Sequence, residues 1–119
     1  MASLQMNGPY NFTIEKIDDV VTQVSAGNYG LGYTDERETF IVQYVGRSDS
    51  NVNAELKAKL DKKYKKFKFS YATSPKAAFE KECKNYHDFG ESAKLDNKKH
   101  PDRPNGTNWR CPVCSIFNY

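Results

Sequence analysis

The side chains best suited to binding a metal ion are the cysteines and one histidine. Cys111 and Cys114 form a C-x₂-C pair, the compact half of a structural zinc site. Cys83 and His87 stand at i and i+4 of a segment with helical periodicity, so both side chains would project from one helix face. Together they predict a Cys₃His zinc site that uses every cysteine of the chain. His100 competes with His87 for the fourth position, and the alternative is a buried thiol beside a C-x₂-C pair that binds no metal.

A second set of candidate residues surrounds the end of a predicted strand. The apolar run Phe40–Val45 predicts a strand buried on both faces, and Gly46 ends it. Residues 48–51 then offer N-cap side chains for a helix, so the phenol of Tyr44 is expected at a sheet edge beside a helix N-terminus. Glu82 lies among the inward-facing positions of a later helix, where a carboxylate requires an ion pair or a metal ion.

The tripeptides G-N-Y at Gly27–Tyr29 and Y-V-G at Tyr44–Gly46 resemble the paired motif of the GIY-YIG nuclease superfamily. The predicted order behind them, a helix, a third strand and a second helix with Glu82, is also similar to that family. The resemblance implies divalent-metal-dependent hydrolysis of a DNA phosphodiester. It implies that Tyr44 activates the attacking water, that Tyr29 hydrogen-bonds within the site, and that Glu82 holds one Mg²⁺ or Mn²⁺ ion.

The chain departs from the family pattern on the helix after the second tripeptide. The position of the family's arginine, three residues beyond the apolar residue Val52, is occupied by Glu55. Loss of one transition-state contact costs about 10²–10³-fold in rate. Arg47 or Lys59 could substitute, and Arg47 therefore joins the catalytic candidates. The alternative is a module that keeps this fold, binds nucleic acid or protein, and has lost hydrolysis; Glu55 and Lys59 are also spaced to form a surface ion pair.

Lysines accumulate around the end of the same helix, with aromatic residues between them. Such a run can follow a phosphate backbone while the aromatic rings stack on bases, although it is also typical of a solvated helix face. The candidate nucleic-acid-binding residues are Lys57, Lys59, Lys62 and Lys63. With the family resemblance, this run predicts DNA as the partner.

The elements that must position these residues follow from hydrophobic periodicity and turn signals. We expect helices over 14–24, 51–63 and from 75 to about 87, and strands over 27–33, 40–45 and 67–71. Residues 1–9 are expected to form a flexible leader, residues 10–89 the domain, and residues 90–119 a loop and zinc-binding tail packed on it. The predicted fold is α/β (α+β) and GIY-YIG-like: a small three-stranded sheet with an antiparallel hairpin, flanked by helices, with a zinc-pinned C-terminal loop.

Length and composition bound the class of protein. The chain has 119 residues, 28% of them charged and 13% aromatic, which suits one globular domain with a single core. The net charge of +3 permits a polyanionic partner without requiring one. No apolar run approaches the roughly 18 residues of a membrane helix, and the N-terminus lacks a signal-peptide core. We therefore expect a cytoplasmic protein with no membrane association.

Overall fold

A computed structural model describes residues 6–60, 64–97, 101, 109 and 111–112. Within this part of the chain, a four-stranded antiparallel sheet in the order β1-β4-β2-β3 packs with helices into a small α+β fold. In chain order the elements are β1 (Asn7–Asn11), α1 (Ile14–Val20), β2 (Gly27–Thr34), β3 (Phe40–Ser48), α2 (Val52–Ala58), β4 (Lys66–Tyr71), α3 (Pro75–Asp88) and α4 (Glu91–Lys94). Among the described residues, no helix is long and apolar enough to cross a membrane.

The described sheet has four strands rather than the predicted three, because the chain before α1 contributes β1. This strand pairs with β4, with Tyr10 opposite Phe67 and Asn11 opposite Lys66. The Tyr10 ring centroid lies 5.6 Å from that of Phe67 and 6.2 Å from that of Phe69, so one aromatic side chain anchors an otherwise polar strand. Residues 7–9, predicted as part of a leader, therefore belong to the sheet, and residues 1–5 lie outside the described part.

The main hydrophobic core fills the space between one face of the sheet and the helices α1 and α2. Alternate residues of β4, Phe67 and Phe69, point into it, as the period-two pattern of that strand predicts. Ile17 from α1 and Leu56 from α2 meet these rings and are fully buried. The opposite face of the sheet is covered by α3, and the side-chain amide of Asn28 donates to the Ala78 carbonyl at 2.8 Å across that contact.

Short polar side chains begin all three longer helices. Thr13, Asn51 and Ser74 accept hydrogen bonds from backbone N–H groups of the first turns of α1, α2 and α3, respectively. Pro75 follows Ser74 at the first helical position, where its missing N–H costs nothing. These starts confirm the predicted order of a helix, a strand and a helix after the hairpin.

The first helix ends at Val20, earlier than the predicted end at residue 24. The N–H groups of Thr22 and Gln23 donate to the Tyr71 hydroxyl of β4, at 2.9 and 3.2 Å, instead of continuing the helix. Val24 is 84% exposed and takes no part in the core. The prediction that the helix reaches residue 24 is therefore wrong, because a partner distant in sequence captures its last donors.

The strand β3 lies at an edge of the sheet. The prediction that this strand is buried on both faces is wrong, because most of its side chains are partly exposed. The segment after α4 closes part of this edge: the Asn97 side chain accepts from the Val45 N–H at 2.9 Å and donates to the Val45 carbonyl at 2.8 Å. The Asp96 N–H donates to the Gln43 carbonyl at 2.6 Å. Both α2 and α3 also contact β3.

Candidate functional site

A cleft of about 250 Å³ lies at the end of β3. Side chains reach it from β2, from β3 and the turn after it, from α2 and from α3. The lining residues are Tyr29, Tyr44, Gly46, Arg47, Asp49, Glu55 and Glu82. The four residues predicted to be catalytic, Tyr29, Tyr44, Arg47 and Glu82, therefore share one cleft, while their catalytic roles stay predictions.

The missing side chain at Gly46 allows Tyr29 to reach this cleft. The two residues pair across β2 and β3, and a Cβ at position 46 would lie well within 3.0 Å of the Tyr29 ring and hydroxyl. The ring is 1% exposed, and its hydroxyl donates to Glu55 Oε1 of α2 at 3.2 Å. Burial, followed by the charge of Glu55, raises the pKa of Tyr29. Tyr29 is therefore a fixed, protonated hydrogen-bond donor.

Tyr44 lies next to Tyr29 on the same face of the sheet. The two rings are 6.4 Å apart between centroids and 19° from parallel, and the Lys59 ammonium lies 5.6 Å from the Tyr44 centroid. Burial first, then the negative charges of Glu82 and Glu55, raise the pKa of Tyr44. This direction disfavours the phenolate, so Tyr44 can act as a base near neutral pH only with added positive charge nearby.

Arg47 and Glu82 form the most buried ion pair of the cleft. Arg47 Nη1 contacts Glu82 Oε1 at 2.5 Å, Arg47 Nε donates to Asp49 Oδ1 at 2.9 Å, and the guanidinium carbon lies 5.2 Å from the Phe79 ring centroid. Each side chain of the Arg47–Glu82 pair is 12% exposed. Burial lowers the pKa of Arg47, but the charges of Glu82 and Asp49 outweigh that effect and raise it. Burial raises the pKa of Glu82 to about 7, although Arg47 opposes the rise.

Carboxylates outnumber cations in the cleft. Asp49, Glu55 and Glu82 face Arg47, and Lys59 Nζ lies 3.9 Å from Glu55 Oε1 at the rim. Carboxylate oxygens are the donors that Mg²⁺ and Mn²⁺ prefer, and a divalent cation would favour the ionised form of Glu82. The oxygen donors of the cleft are therefore of the chemical type that such an ion takes, and within the described residues no three of them are grouped closely enough to form a metal site.

Two residues of the cleft have partners that sequence reasoning missed. Glu55 forms the predicted surface pair with Lys59, but it also accepts from the buried Tyr29 hydroxyl. Asp49, predicted only as a possible N-cap, instead accepts from Arg47, and Asn51 caps α2. The position of Asp49 two residues after Arg47 was the one sequence signal for this ion pair.

The structure brings two of the predicted zinc ligands together. Cys83 of α3 and Cys111 are both buried and share a cluster with Phe79 and Trp109. Burial first, then the charge of Cys111 and the hydrogen bond that the Cys83 thiol donates to it, raise the pKa of Cys83. A metal ion between the two sulfurs would reverse that shift, because zinc binds thiolates.

The remaining predicted zinc ligands are only partly described. His87 stands on α3 one turn after Cys83, and its Nδ1 contacts Glu91 Oε2 at 2.5 Å. Cys114 and the alternative ligand His100 lie outside the described residues. Within the described ranges, no three His, Cys, Asp or Glu side chains are grouped as a metal site.

The predicted lysine surface is described only at its start. Lys57 Nζ contacts Asp18 of α1 at 2.6 Å, which lowers the pKa of Asp18 through that hydrogen bond. Lys59 contacts the Tyr44 ring and Glu55. Lys62 and Lys63 lie outside the described residues, so DNA binding by this run stays a prediction.

Comparisons of the chain with protein-family models, with curated proteins and with solved structures found no match.

Proposed function

We propose that this cleft hydrolyses a phosphodiester of DNA with one divalent metal ion, as in a GIY-YIG-like endonuclease. The observation that carries the proposal is that Tyr29, Tyr44, Arg47 and Glu82 line one cleft although they come from three separate elements, β2, β3 and α3. Their chemical types are a hydrogen-bond donor, a base, a cation and an oxygen ligand, which a metal-assisted phosphodiesterase requires. The family resemblance assigns the same roles to Tyr29, Tyr44 and Glu82.

Glu82 is the proposed ligand of Mg²⁺ or Mn²⁺. Such an ion, when bound, supplies positive charge for the phosphoryl group as it gains negative charge. Because burial raises the pKa of Glu82 to about 7, its carboxylate form predominates only above neutral pH. Metal affinity is therefore expected to fall as the pH drops below about 7.

Tyr44 is the proposed base for the attacking water. The charges of Glu82 and Glu55 add to burial in raising its pKa, so neutralising Glu82 with a cation removes one cause of that rise. The Tyr29 hydroxyl donates to Glu55, so Tyr29 is expected to stay in place and to keep its proton during the reaction. The rate of hydrolysis is expected to increase with pH through the range in which Glu82 and then Tyr44 lose their protons.

Arg47 is proposed to replace the family arginine that Glu55 displaces. A guanidinium carries five N–H donors, and the described contacts of Arg47 use those on Nε and Nη1. The remaining donors can bind a phosphate oxygen while the pair with Glu82 holds the fork in place. This assignment makes Arg47 a phosphate-positioning cation on the strand side of the cleft.

The test is a cleavage assay with single-stranded, double-stranded and branched DNA in the presence of Mn²⁺. The Tyr44→Phe variant removes the proposed base and keeps the ring, and Tyr33→Phe removes a phenol of the same sheet outside the cleft. We expect the wild type and Tyr33→Phe to cut at equal rates and Tyr44→Phe to lose about 10²–10⁴-fold. Equal cutting by Tyr44→Phe would mean that the activity does not arise from this cleft.

The Arg47–Glu82 ion pair favours a second candidate, a binding module without hydrolysis. In the structure, the Glu82 carboxylate, which is proposed to hold the metal, is already paired with Arg47, which is proposed to hold phosphate. A module of this kind would bind DNA or a protein through the same surface. Retained DNA binding without cutting at any Mn²⁺ concentration would identify it.

We also propose a structural zinc ion held by Cys83, His87, Cys111 and Cys114. The contact between the buried thiols of Cys83 and Cys111 supports this site, because the two residues are distant in sequence. A zinc ion there would tie the C-terminal tail to α3, which suits a small domain with a limited core.

A further inference from the structure

A second cavity, of about 190 Å³, shares the Tyr44 side chain with the catalytic cleft. Its lining residues are Leu31, Tyr44, Lys59, Tyr64 and Asp96. Pockets for whole drug-sized ligands span roughly 300–1,000 Å³. The cavity is therefore suited to one ring system next to whatever occupies the cleft.

Three of the five residues that line this cavity are aromatic or aliphatic. The rings of Tyr44 and Tyr64 lie 6.1 Å apart between centroids, at 43° to each other, and Leu31, which also lines the cavity, is fully buried. Tyr44 also stacks beside Tyr29, so three tyrosine rings form a row from the cleft into the cavity. Aromatic rings of this kind stack on nucleobases in proteins that bind single strands.

Charged groups of both signs also line the cavity. The Tyr64 hydroxyl donates to Asp96 Oδ2 at 2.8 Å, and the Asp96 backbone N–H is fixed by the Gln43 carbonyl at 2.6 Å. Lys59, above the Tyr44 ring, supplies donors on the side of the cleft. A carboxylate accepts from the exocyclic amine of a base, and an ammonium group donates to a ring nitrogen or carbonyl.

We propose that this cavity binds one unpaired nucleobase adjacent to the phosphate in the cleft. The inference depends on the proposed function, which places that phosphate beside Tyr44. A base in the cavity must leave its stack, so single-stranded or locally unpaired DNA is the preferred substrate over a continuous duplex. Adenine, cytosine and guanine carry an exocyclic amine for Asp96 and thymine does not, so thymine is disfavoured at this position.

Binding and cleavage are measured separately on one set of single-stranded oligonucleotides. In the binding experiment, the fluorescent base 2-aminopurine is placed at successive positions, without Mn²⁺. We expect quenching at one position, because the base stacks on tyrosine there. Tyr64→Leu should remove the quenching and weaken binding about 5- to 150-fold, whereas Tyr64→Phe, which keeps the ring, should retain the quenching. Asp96→Asn should reduce the discrimination against thymine at that position.

In the cleavage experiment, an abasic nucleotide replaces each position next to the cut bond, with Mn²⁺ present. At one position, the abasic nucleotide should lower the cleavage rate of the wild type about tenfold or more, and should lower that of Tyr64→Leu only slightly. DNA that is cut at equal rates with every abasic substitution would overturn the base cavity and leave the proposed hydrolysis standing. Quenching confined to one position and lost in Tyr64→Leu, without any cutting, would support the cavity and overturn hydrolysis. Equal quenching at all positions would also overturn the cavity.

Discussion

Gly46→Ala is expected to destabilise the protein by disturbing one buried ring. The alanine Cβ would lie within 3.0 Å of Cζ, Cε1 and the hydroxyl oxygen of Tyr29, closer than real Cβ atoms approach. The ring is 1% exposed and stacks beside Tyr44, so moving it away from the new Cβ disturbs its buried contacts. Overpacking of this kind costs about 1–3 kcal/mol, and loss of the hydrogen bond from Tyr29 to Glu55 adds about 1 kcal/mol.

Urea denaturation followed by circular dichroism measures this cost as a change in the free energy of unfolding. A double-mutant cycle with Tyr29→Leu isolates its cause, because the shorter side chain vacates the space that the new methyl group enters. We expect Gly46→Ala to cost about 2–4 kcal/mol in the wild type and at least about 1 kcal/mol less in the Tyr29→Leu background. A cost under about 0.5 kcal/mol, or equal costs in the two backgrounds, would refute the packing of Tyr29 over Gly46.

The ion pair, the buried thiols and the sheet edge each have a measurable consequence. Burial raises the pKa of Glu82 from 4.5 to about 7. Between these pH values the folded protein keeps a proton on Glu82 that the unfolded chain releases. The free energy of unfolding should therefore fall by on the order of 3 kcal/mol as the pH rises from 4.5 to 7. Urea titrations of Glu82→Gln should lack this component, and identical pH profiles would contradict the assignment. Elemental analysis should find one zinc ion per chain, lost in Cys83→Ser, with a lower melting temperature after chelation; well under one zinc per chain in the wild type would end the zinc proposal. Asn97→Ala should cost about 1–3 kcal/mol and accelerate amide exchange at Val45, and unchanged protection of that amide would show that the edge is closed by other groups.

Much of the fold follows from local sequence signals. The alternation of Phe67 and Phe69, the N-cap at Ser74 and the proline at position 75 depend on neighbouring residues alone, and each predicted its element correctly. The errors lie where a distant partner decides the outcome. The helix α1 ends early because the N–H groups of Thr22 and Gln23 donate to the Tyr71 hydroxyl. The strand β1 joins the sheet because Tyr10 packs against Phe67.

The candidate site was predictable in its residue types but not in its contacts. The sequence indicated that Glu82 faces inward and needs a partner, and that Arg47 could supply positive charge near Tyr44. That these needs are met by one ion pair depends on how α3 lies against the end of β3, which periodicity does not specify. The hydrogen bond from Tyr29 to Glu55 depends likewise on how α2 lies against β2 and β3.

We propose above all that Glu82 holds a divalent ion with which this cleft would hydrolyse DNA. The most direct test of this proposal is the single-turnover cleavage rate of single-stranded DNA as a function of Mn²⁺ concentration at pH 8. Glu82→Gln keeps the shape of the side chain, and Glu80→Gln makes the same change on α3 outside the cleft. We predict a saturable dependence on Mn²⁺ in the wild type and Glu80→Gln, and a loss of about 10²-fold or more in Glu82→Gln. Equal rates for Glu82→Gln and the wild type, or no cleavage by the wild type at any Mn²⁺ concentration, would contradict the proposal.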